Sequence, residues 1–213
     1  MNAKTAWRNM LEEVRKGRLY KDRGGRQCIE LINNLVTIDD PSDAIELVRL
    51  MQRQEDWVYP SPEELKSIIV GTPNQGAFEY SYVPRLFGEH NQIDGFVIPL
   101  LKQDPESRRA VAILYQPFTD SELSSKNVPG LLALHFRLLE KLELTCIIRS
   151  NDVFIGLPAN LYQLRCLQEY VAGQLGAEPG AIHVFSGSAH FFTEYEEQYQ
   201  NIAKAIKKEG RPE

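Results

Sequence analysis

Four apolar runs of strand-like composition follow one another between residues 95 and 150, and they constrain the possible folds more than any other feature. The runs are GFVIPLLKQ, AVAILYQPF, LLALHFRLL and LELTCIIRS, and turn residues divide them. β-Branched and aromatic residues favour strands, and the Leu-Glu-Lys segment between the last two runs is short enough for a tight hairpin turn. The sequence therefore predicts a large sheet.

Other segments predict two more strands and several helices. ELINNLVTIDDP and AIHVFSGSAH have the composition of strands, whereas residues 70–94 are rich in Gly, Pro, Asn and Tyr and are mostly loop. Helices are predicted over residues 3–17, from Pro41 to about Met51, from SPEEL, in ANLYQLRCLQEYVAGQLG and in EYEEQYQNIAKAIKK. We expect an α+β fold, a mostly antiparallel or mixed sheet with helices packed on it, in a single domain of residues 1–213.

The charge balance argues against a nucleic-acid partner. With 24 Lys+Arg against 29 Asp+Glu the net charge is -5, so no overall positive field is available to hold a phosphate backbone. Three cysteines without close pairing suit a reducing compartment. The start MNAKTAWRNMLEEVRKGR lacks the apolar core of a signal peptide, and no run of about 18 apolar residues could span a membrane. We therefore expect a cytoplasmic protein with no membrane partner and no metal site.

Five arginines lie where loops or strand ends are predicted, so any anion site is expected to be local. They are Arg23 in DRGGR, Arg85 in VPRLFG, Arg108 and Arg109 in DPESRRA, and Arg149 in RSND. Guanidinium groups match phosphate oxygens, and neighbouring glycines let backbone N–H groups approach the same anion. Each arginine alone is better explained as a solvated surface residue, but the set together favours a phosphate site.

The order and context of these segments resemble the thymidylate synthase and deoxycytidylate hydroxymethylase superfamily over most of the chain. DRGGRQCIELINNLVTIDDP is similar to the family's arginine-glycine phosphate loop and first strand, and YSYVPRLFG to its Tyr-Gly-x-Arg-Leu segment. DPESRRAV resembles its Asp-Pro-x-Ser-Arg-Arg signature, and RSNDVFIGLPAN its Arg-Ser-x-Asp…Gly-x-Pro-x-Asn core. SGSAHFF resembles the Ser-Ala-His-x-Tyr element of the shorter, archaeal-like members. The resemblance implies a nucleotide substrate.

The resemblance also implies how the phosphate is held. Arg23, Arg149 and Ser150 would bind the 5′-phosphate of a pyrimidine nucleoside monophosphate, and Arg108 and Arg109 would reach across from the partner subunit of a homodimer. Two adjacent arginines on a predicted strand repel each other unless an anion neutralises them, which favours a shared phosphate over a structural pair.

Three more residues are implied to contact the base and the sugar. Asn160 would bind the pyrimidine edge, because a carboxamide can donate to O4 and accept from N3–H, which favours dUMP or UMP over dCMP or CMP. Asp152 would orient the ring through ordered water, and His190 would lie near the sugar. Each has a structural alternative: Asn160 could cap the following helix, Asp152 could form an Asx turn, and His190 could be a satisfied polar residue.

The catalytic nucleophile of the family is missing. Its reaction begins with a cysteine thiolate adding to C6 of the pyrimidine, which makes C5 a nucleophile toward a one-carbon unit carried by methylenetetrahydrofolate. That cysteine belongs to a Pro-Cys-x-x-x-x-Gln-Phe strand, and here NVPGLLALHF places Gly130 at the cysteine and His135 at the glutamine.

Two further departures concern the acid or base and the sugar. The family's Glu-Leu-x-Trp helix, which supplies a glutamate, has no good match, and Glu55, Glu63 and Glu64 are open candidates. Phe192 stands where a tyrosine hydroxyl usually meets the 3′-oxygen, with Tyr195 as a substitute, so the sequence does not distinguish ribose from deoxyribose.

Three functions stay open. The first is a divergent one-carbon transferase acting at C5 by methyl or hydroxymethyl transfer, with water, His135 or a carboxylate such as Asp152 replacing the thiolate. The second is a non-catalytic nucleotide-binding protein or partner subunit. The third is hydrolysis of the N-glycosidic bond, which needs a carboxylate and water but no thiol. We favour the first because Asp152 and Asn160 both face the base, and a phosphate sensor would need neither.

Overall fold

The computed structural model describes residues 1–22, 24–54, 57–72, 81–124 and 128–209, and side chains up to residue 203 in the last helix. The helices are α1 Ala3–Val14, α2 Ala44–Gln52, α3 Pro62–Ile69, α4 Val83–Phe87, α5 Ile98–Gln103, α6 Pro117–Asp120, α7 Gly156–Leu175 and α8 Glu196–Glu209. Short 3₁₀ turns at Pro41–Asp43 and Thr193–Tyr195 precede α2 and α8, and a π-helix at Gln92–Val97 precedes α5. The strands are β1 Arg18–Lys21, β2 Gln27–Ile38, β3 Val111–Ile113, β4 Leu131–Leu138, β5 Leu142–Asp152 and β6 Pro179–Phe192.

Within the described residues the six strands form one sheet in the order β1-β2-β6-β5-β4-β3. β5 and β6 run parallel and are joined by α7, while the other neighbours are antiparallel. β4 and β5 meet in the predicted hairpin, where the N–H of Leu139 donates to the carbonyl of Lys141 at 3.0 Å. The mixed sheet with packed helices confirms the α+β prediction.

Partway along the three central strands, β2, β6 and β5, the alternation of side chains shifts by one position. Different positions of each strand therefore face the helices before and after this point. In β5 the buried positions 144, 146 and 148 alternate, but the next buried residue is Asn151. In β6 buried positions 182, 184 and 186 are likewise followed by Ala189. β2 turns at the same level, where Asn33 has a φ of 57°. At this level two consecutive residues are exposed in β2, at 32–33, and in β5, at 149–150, and two are only partly buried in β6, at 187–188. We call this level the kink.

The helices cover one side of the sheet and fix the region beyond the kink. α7 packs against α2, α3 and β5, and it ends at Gly176, whose φ of 65° is the left-handed conformation that favours glycine. The indole N–H of Trp7 in α1 donates to the carbonyl of Val153 at 2.8 Å. α3 begins with the capping box that SPEEL predicts. In the described part of the chain, no helix is long and apolar enough to cross a membrane.

Two of the four apolar runs were predicted wrongly in extent or type. GFVIPLLKQ is not a strand but lies in the π-helix and α5, because a continuous apolar run also suits a buried helix. AVAILYQPF contributes only Val111–Ile113 as strand. Arg108 and Arg109 consequently lie in the loop before β3 and not in a strand. α7 also begins at Gly156, three residues before the predicted start.

Candidate functional site

Arg149 lies at the kink of β5, where its guanidinium is fixed over the segment before β4. Its Nε donates to the carbonyl of Pro129 at 2.8 Å and its Nη2 to that of Val128 at 2.9 Å. Its backbone N–H donates to the carbonyl of Gly130 at 2.8 Å. The side chain is nevertheless exposed, as is that of the next residue, Ser150. A positioned cation thus stands directly beside Gly130, the residue that the family resemblance predicts at the place of the nucleophile.

Gly130 has few neighbours among the described residues. A Cβ built there would meet the carbonyl oxygen of Ser150 at 3.4 Å, and no other atom of the described residues is as close. A small side chain at this position would therefore not collide with the fold.

Asp152 ends β5 and begins the turn into α7. Its Oδ1 accepts from the N–H of Phe154 at 2.9 Å and from that of Ile155 at 3.0 Å. This is the Asx turn considered as its structural role, and it occupies one of the two carboxylate oxygens. The turn holds the side chain in one orientation, so a structural role and a functional one are compatible here.

His190 lies between two carboxylates on the side of the sheet away from the helices. In the strand register it is opposite Glu30 of β2 and opposite Asp152 of β5. Its Nδ1 is buried and has no hydrogen-bond partner among the described residues. We call Glu30, His190 and Asp152 the titratable row.

Burial governs the protonation of two members of this row, Asp152 and His190. It raises the pKa of Asp152, against the two backbone N–H groups and the charge of His190, which favour the anion. Burial lowers the pKa of His190, although the nearby charges of Asp152 and Glu30 oppose this. The imidazole is therefore neutral near neutral pH, with one nitrogen as donor and the other as acceptor.

Asn160 lies inside α7, as its fifth residue, and the N-cap position belongs to Ile155. The capping explanation for Asn160 is therefore wrong. The residue lines a small cleft together with Leu131 and Ile148, which are the chain neighbours of Gly130 and Arg149. Asn160 therefore lies near the start of β4 and the kink of β5, the segments that also carry Gly130 and Arg149.

Sequence reasoning missed Arg26 and Glu30. The guanidinium of Arg26 lies 3.5 Å from the centroid of the Phe192 ring, and its Nη2 donates to Glu194 at 2.5 Å. Phe192 in turn packs edge-on against the His190 ring at 5.0 Å. Arg26 follows the glycines of DRGGR and could have been considered with Arg23, whereas Glu30 becomes visible only once the register of β2 and β6 is known.

Several predicted residues are not brought to this corner. Arg85 forms a paired contact with the nearly buried Asp120, at 2.6 and 2.8 Å, and also donates to the carbonyl of Leu114. These contacts indicate a structural role, which differs from the solvated surface residue expected of this arginine alone. His135 lies opposite Thr145, five residues along β4 from Gly130, or about 16 Å at strand spacing. It therefore cannot replace the nucleophile within one chain.

The remaining candidates are placed elsewhere or lie outside the described residues. Arg108 and Arg109 are exposed and lead into β3, at the far edge of the sheet. Glu64 is used in the capping box with Ser61. Arg23 and Glu55 lie outside the described residues. Among those that are described, no group of three or more His, Cys, Asp and Glu side chains could hold a metal ion.

Comparison with known proteins gives one consistent result. A family model described as "Thymidylate synthase" matches residues 71–213. A "Putative thymidylate synthase" of Methanosarcina barkeri is 34% identical over 206 residues, which is 94% of this chain and 91% of that protein. The protein of the same description from Methanosarcina mazei is 36% identical over 211 residues, 96% of this chain and 93% of its own. That of Methanocaldococcus jannaschii is 29% identical over 206 residues, 92% and 90%.

Proposed function

Because the chain belongs to the thymidylate synthase family, we propose that it binds a pyrimidine nucleoside 5′-monophosphate where β5 meets α7. The observation that carries this proposal is the convergence of Arg149, Asn160 and the open position at Gly130. These groups supply a cation for phosphate and a carboxamide for a pyrimidine edge, beside a position without a side chain.

Arg149 and Ser150 would bind the phosphate. Nε and one N–H of Nη2 of Arg149 donate to backbone carbonyls, which leaves Nη1 and the second N–H of Nη2 to meet an anion. A guanidinium already held in place loses little side-chain entropy on binding, which favours affinity. Arg23, which the family resemblance assigns to the 5′-phosphate, would complete this phosphate site.

Asn160 would bind the base and His190 the sugar, with Asp152 orienting the ring. A carboxamide that donates to O4 and accepts from N3–H matches uracil, so uridine nucleotides are expected ahead of cytidine nucleotides. His190, held neutral by burial, can donate to or accept from a sugar hydroxyl.

We further propose a homodimer in which Arg108 and Arg109 cross to the partner's phosphate site. An unbroken row of apolar residues runs across five strands on the side of the sheet away from the helices, and we call it the apolar row. Its members are Leu35, Phe185, Ile147, Ala133 and Ile113. Leu35 is 64% exposed, Ile113 45% and Ile147 40%, a pattern typical of an interaction surface. Arg108 and Arg109 lie in the loop that leads into β3, the strand at that end of the row.

The proposed reaction is transfer of a one-carbon unit to C5 of the bound pyrimidine. Methylenetetrahydrofolate would supply the unit, and the partly exposed rings of Trp57 and Tyr195, 5.8 Å apart beside Phe154, offer an aromatic surface that suits a pterin ring. Since Gly130 has no side chain, activation at C6 falls to a water in the space above it or to Asp152.

One observation favours a second function, nucleotide binding without chemistry. Gly130 removes the nucleophile while Arg149 and Asn160 keep the means of holding a ligand. Such a protein would sense or sequester the nucleotide, or serve as a subunit beside an active relative.

Incubation with 5-tritiated UMP, dUMP, CMP and dCMP, with and without methylenetetrahydrofolate, separates these functions. Tritium release with a new nucleotide supports C5 transfer, release of free base supports glycosidic hydrolysis, and binding alone supports the non-catalytic function. Absence of binding to all four nucleotides by folded protein would refute the proposal as a whole.

A further inference from the structure

Resting on the proposed function, we infer that Glu30 makes the site selective for a ribonucleotide, UMP over dUMP, by accepting a hydrogen bond from the 2′-hydroxyl. Glu30 is not among the residues that the family resemblance assigns. The inference therefore concerns a side chain whose importance only the folded chain reveals.

Glu30 is held next to the proposed sugar residue. It lies directly opposite His190 in an antiparallel pair, where facing side chains stand about 5 Å apart at their Cβ atoms. Its Oε1 accepts from the hydroxyl of Ser188 at 2.5 Å, which fixes the carboxylate in a partly buried position. A carboxylate has roughly four acceptor positions, so the bond from Ser188 leaves capacity for a ligand hydroxyl.

The chemistry of this corner suits a vicinal diol. Ribose offers hydroxyls at both 2′ and 3′, and a carboxylate that accepts from a ribose hydroxyl is the means by which many dinucleotide sites recognise the sugar. His190, whose Nδ1 has no hydrogen-bond partner among the described residues, stands beside the carboxylate, and its ring can engage the other hydroxyl. Deoxyribose would leave the carboxylate facing a carbon, with its solvating water displaced and no partner gained.

Phe192 strengthens the discrimination. It has no hydroxyl that could bond to the 3′-oxygen, which both sugars have. The guanidinium of Arg26 lies over its ring, 3.5 Å from the ring centroid. Recognition of the sugar therefore depends more on Glu30 and His190 than it would with a tyrosine at position 192.

Titration calorimetry of the full chain with UMP and dUMP tests the inference. The wild-type protein should bind UMP about tenfold more tightly than dUMP, as one hydrogen bond to a charged group warrants. Glu30→Gln should reduce that ratio to about twofold by weakening UMP alone. Ser188→Ala, a milder change that releases the carboxylate, should reduce it about threefold. Glu143→Gln is the matched control, since Glu143 is also partly buried in the sheet and pairs with His183.

The outcomes separate this inference from the proposed function. Equal binding of UMP and dUMP by the wild-type protein overturns the role of Glu30 while nucleotide binding stands. Equal weakening of both nucleotides by Glu30→Gln, in protein whose circular dichroism is unchanged, also overturns it, because a purely structural role has that effect. Failure of the wild-type protein to bind either nucleotide refutes the proposed function, and the inference with it.

Discussion

The central strands carry two rows of side chains away from the helices, one on each side of the kink, and the rows differ in chemistry. The apolar row runs through Leu35, Phe185 and Ile147, and the titratable row comprises Glu30, His190 and Asp152. The apolar row gains free energy by leaving water. The titratable row loses free energy when buried, which is why the pKa of Asp152 is raised and that of His190 lowered.

The contrast shows how one set of strands can serve two purposes. A row that gains from burial suits a permanent contact with another protein surface. A row whose burial costs free energy suits a ligand that binds reversibly, because natural proteins keep destabilised groups where function needs them. The kink separates the two by shifting the exposed side of each strand, so that Arg149 and Ser150 stand at the boundary.

The largest expected effect tests whether Arg149, at the kink, belongs to a phosphate site. Arg149→Leu removes a positioned cation and should weaken UMP binding about 100-fold, since charge-assisted hydrogen bonds to a phosphate are at stake. Titration calorimetry measures the loss. Arg165→Leu is the control, because Arg165 pairs with Glu169 on α7, and it should change affinity less than about twofold. Wild-type affinity in Arg149→Leu would show that the phosphate is held elsewhere.

The next largest expected effect tests whether the apolar row is the interface between two copies of the chain. Ile147→Asp places a charge in the middle of the apolar row and should weaken self-association at least about 30-fold, because an unpaired charge would be buried. Sedimentation equilibrium gives the association constant. Nucleotide affinity should fall with it, since Arg108 and Arg109 would no longer reach the partner.

The matched control for the interface is Val58→Asp. Val58 is 99% exposed and lies outside the sheet, so this variant should associate like the wild-type protein. A wild-type chain that is monomeric at high concentration, or an Ile147→Asp chain that still pairs, would assign the apolar row another role.

Local signals predicted the helices better than the sheet's edge. Ser61 and Glu64 predict the start of α3, and Gly176 predicts the end of α7, because capping depends only on residues that are close in sequence. The run at 95–103 misled, since its apolar residues fit a buried helix as well as a strand. The kink also escaped prediction, although Asn33 belongs to the residue type that tolerates positive φ.

The site was predictable to the extent that it lies in one stretch. Arg149, Asp152 and Asn160 are close in sequence, and the strand-turn-helix path brings them to one corner. Glu30 joins them only through the pairing of β2 with β6, more than 150 residues apart. His135 lies far from Gly130 for the converse reason: a strand carries residues five apart to distant places.

A smaller effect tests the cost of the titratable row. The folded-state pKa of Asp152 is raised, so its contribution to stability is present below the unfolded value and is lost as pH rises through the folded one. Asp152→Asn keeps the Oδ1 acceptor of the turn and removes the penalty. Its free energy of unfolding should exceed the wild-type value by about 1 kcal/mol at pH 7, with no gain below about pH 4.

Urea denaturation at the two pH values measures this change. Asp94→Asn is the control, because Asp94 is exposed and accepts from the Tyr170 hydroxyl, and it should alter stability by only a few tenths of a kcal/mol. A destabilised Asp152→Asn protein at pH 7 would mean that the ionised carboxylate stabilises the turn more than burial penalises it.

The smallest effect on stability bears most directly on the missing nucleophile. Gly130→Cys should change the free energy of unfolding by less than about 0.5 kcal/mol, because among the described residues a Cβ at this position meets only the Ser150 carbonyl, at 3.4 Å. A thiol there would stand beside the fixed guanidinium of Arg149, which favours the thiolate. The variant should therefore release tritium slowly from 5-tritiated UMP, whereas Gly130→Ala, with the same Cβ and no sulfur, should not. If Gly130→Cys binds UMP tightly and releases no tritium, residue 130 does not face C6 of the pyrimidine. The nucleotide would then be bound beside the kink in a different orientation.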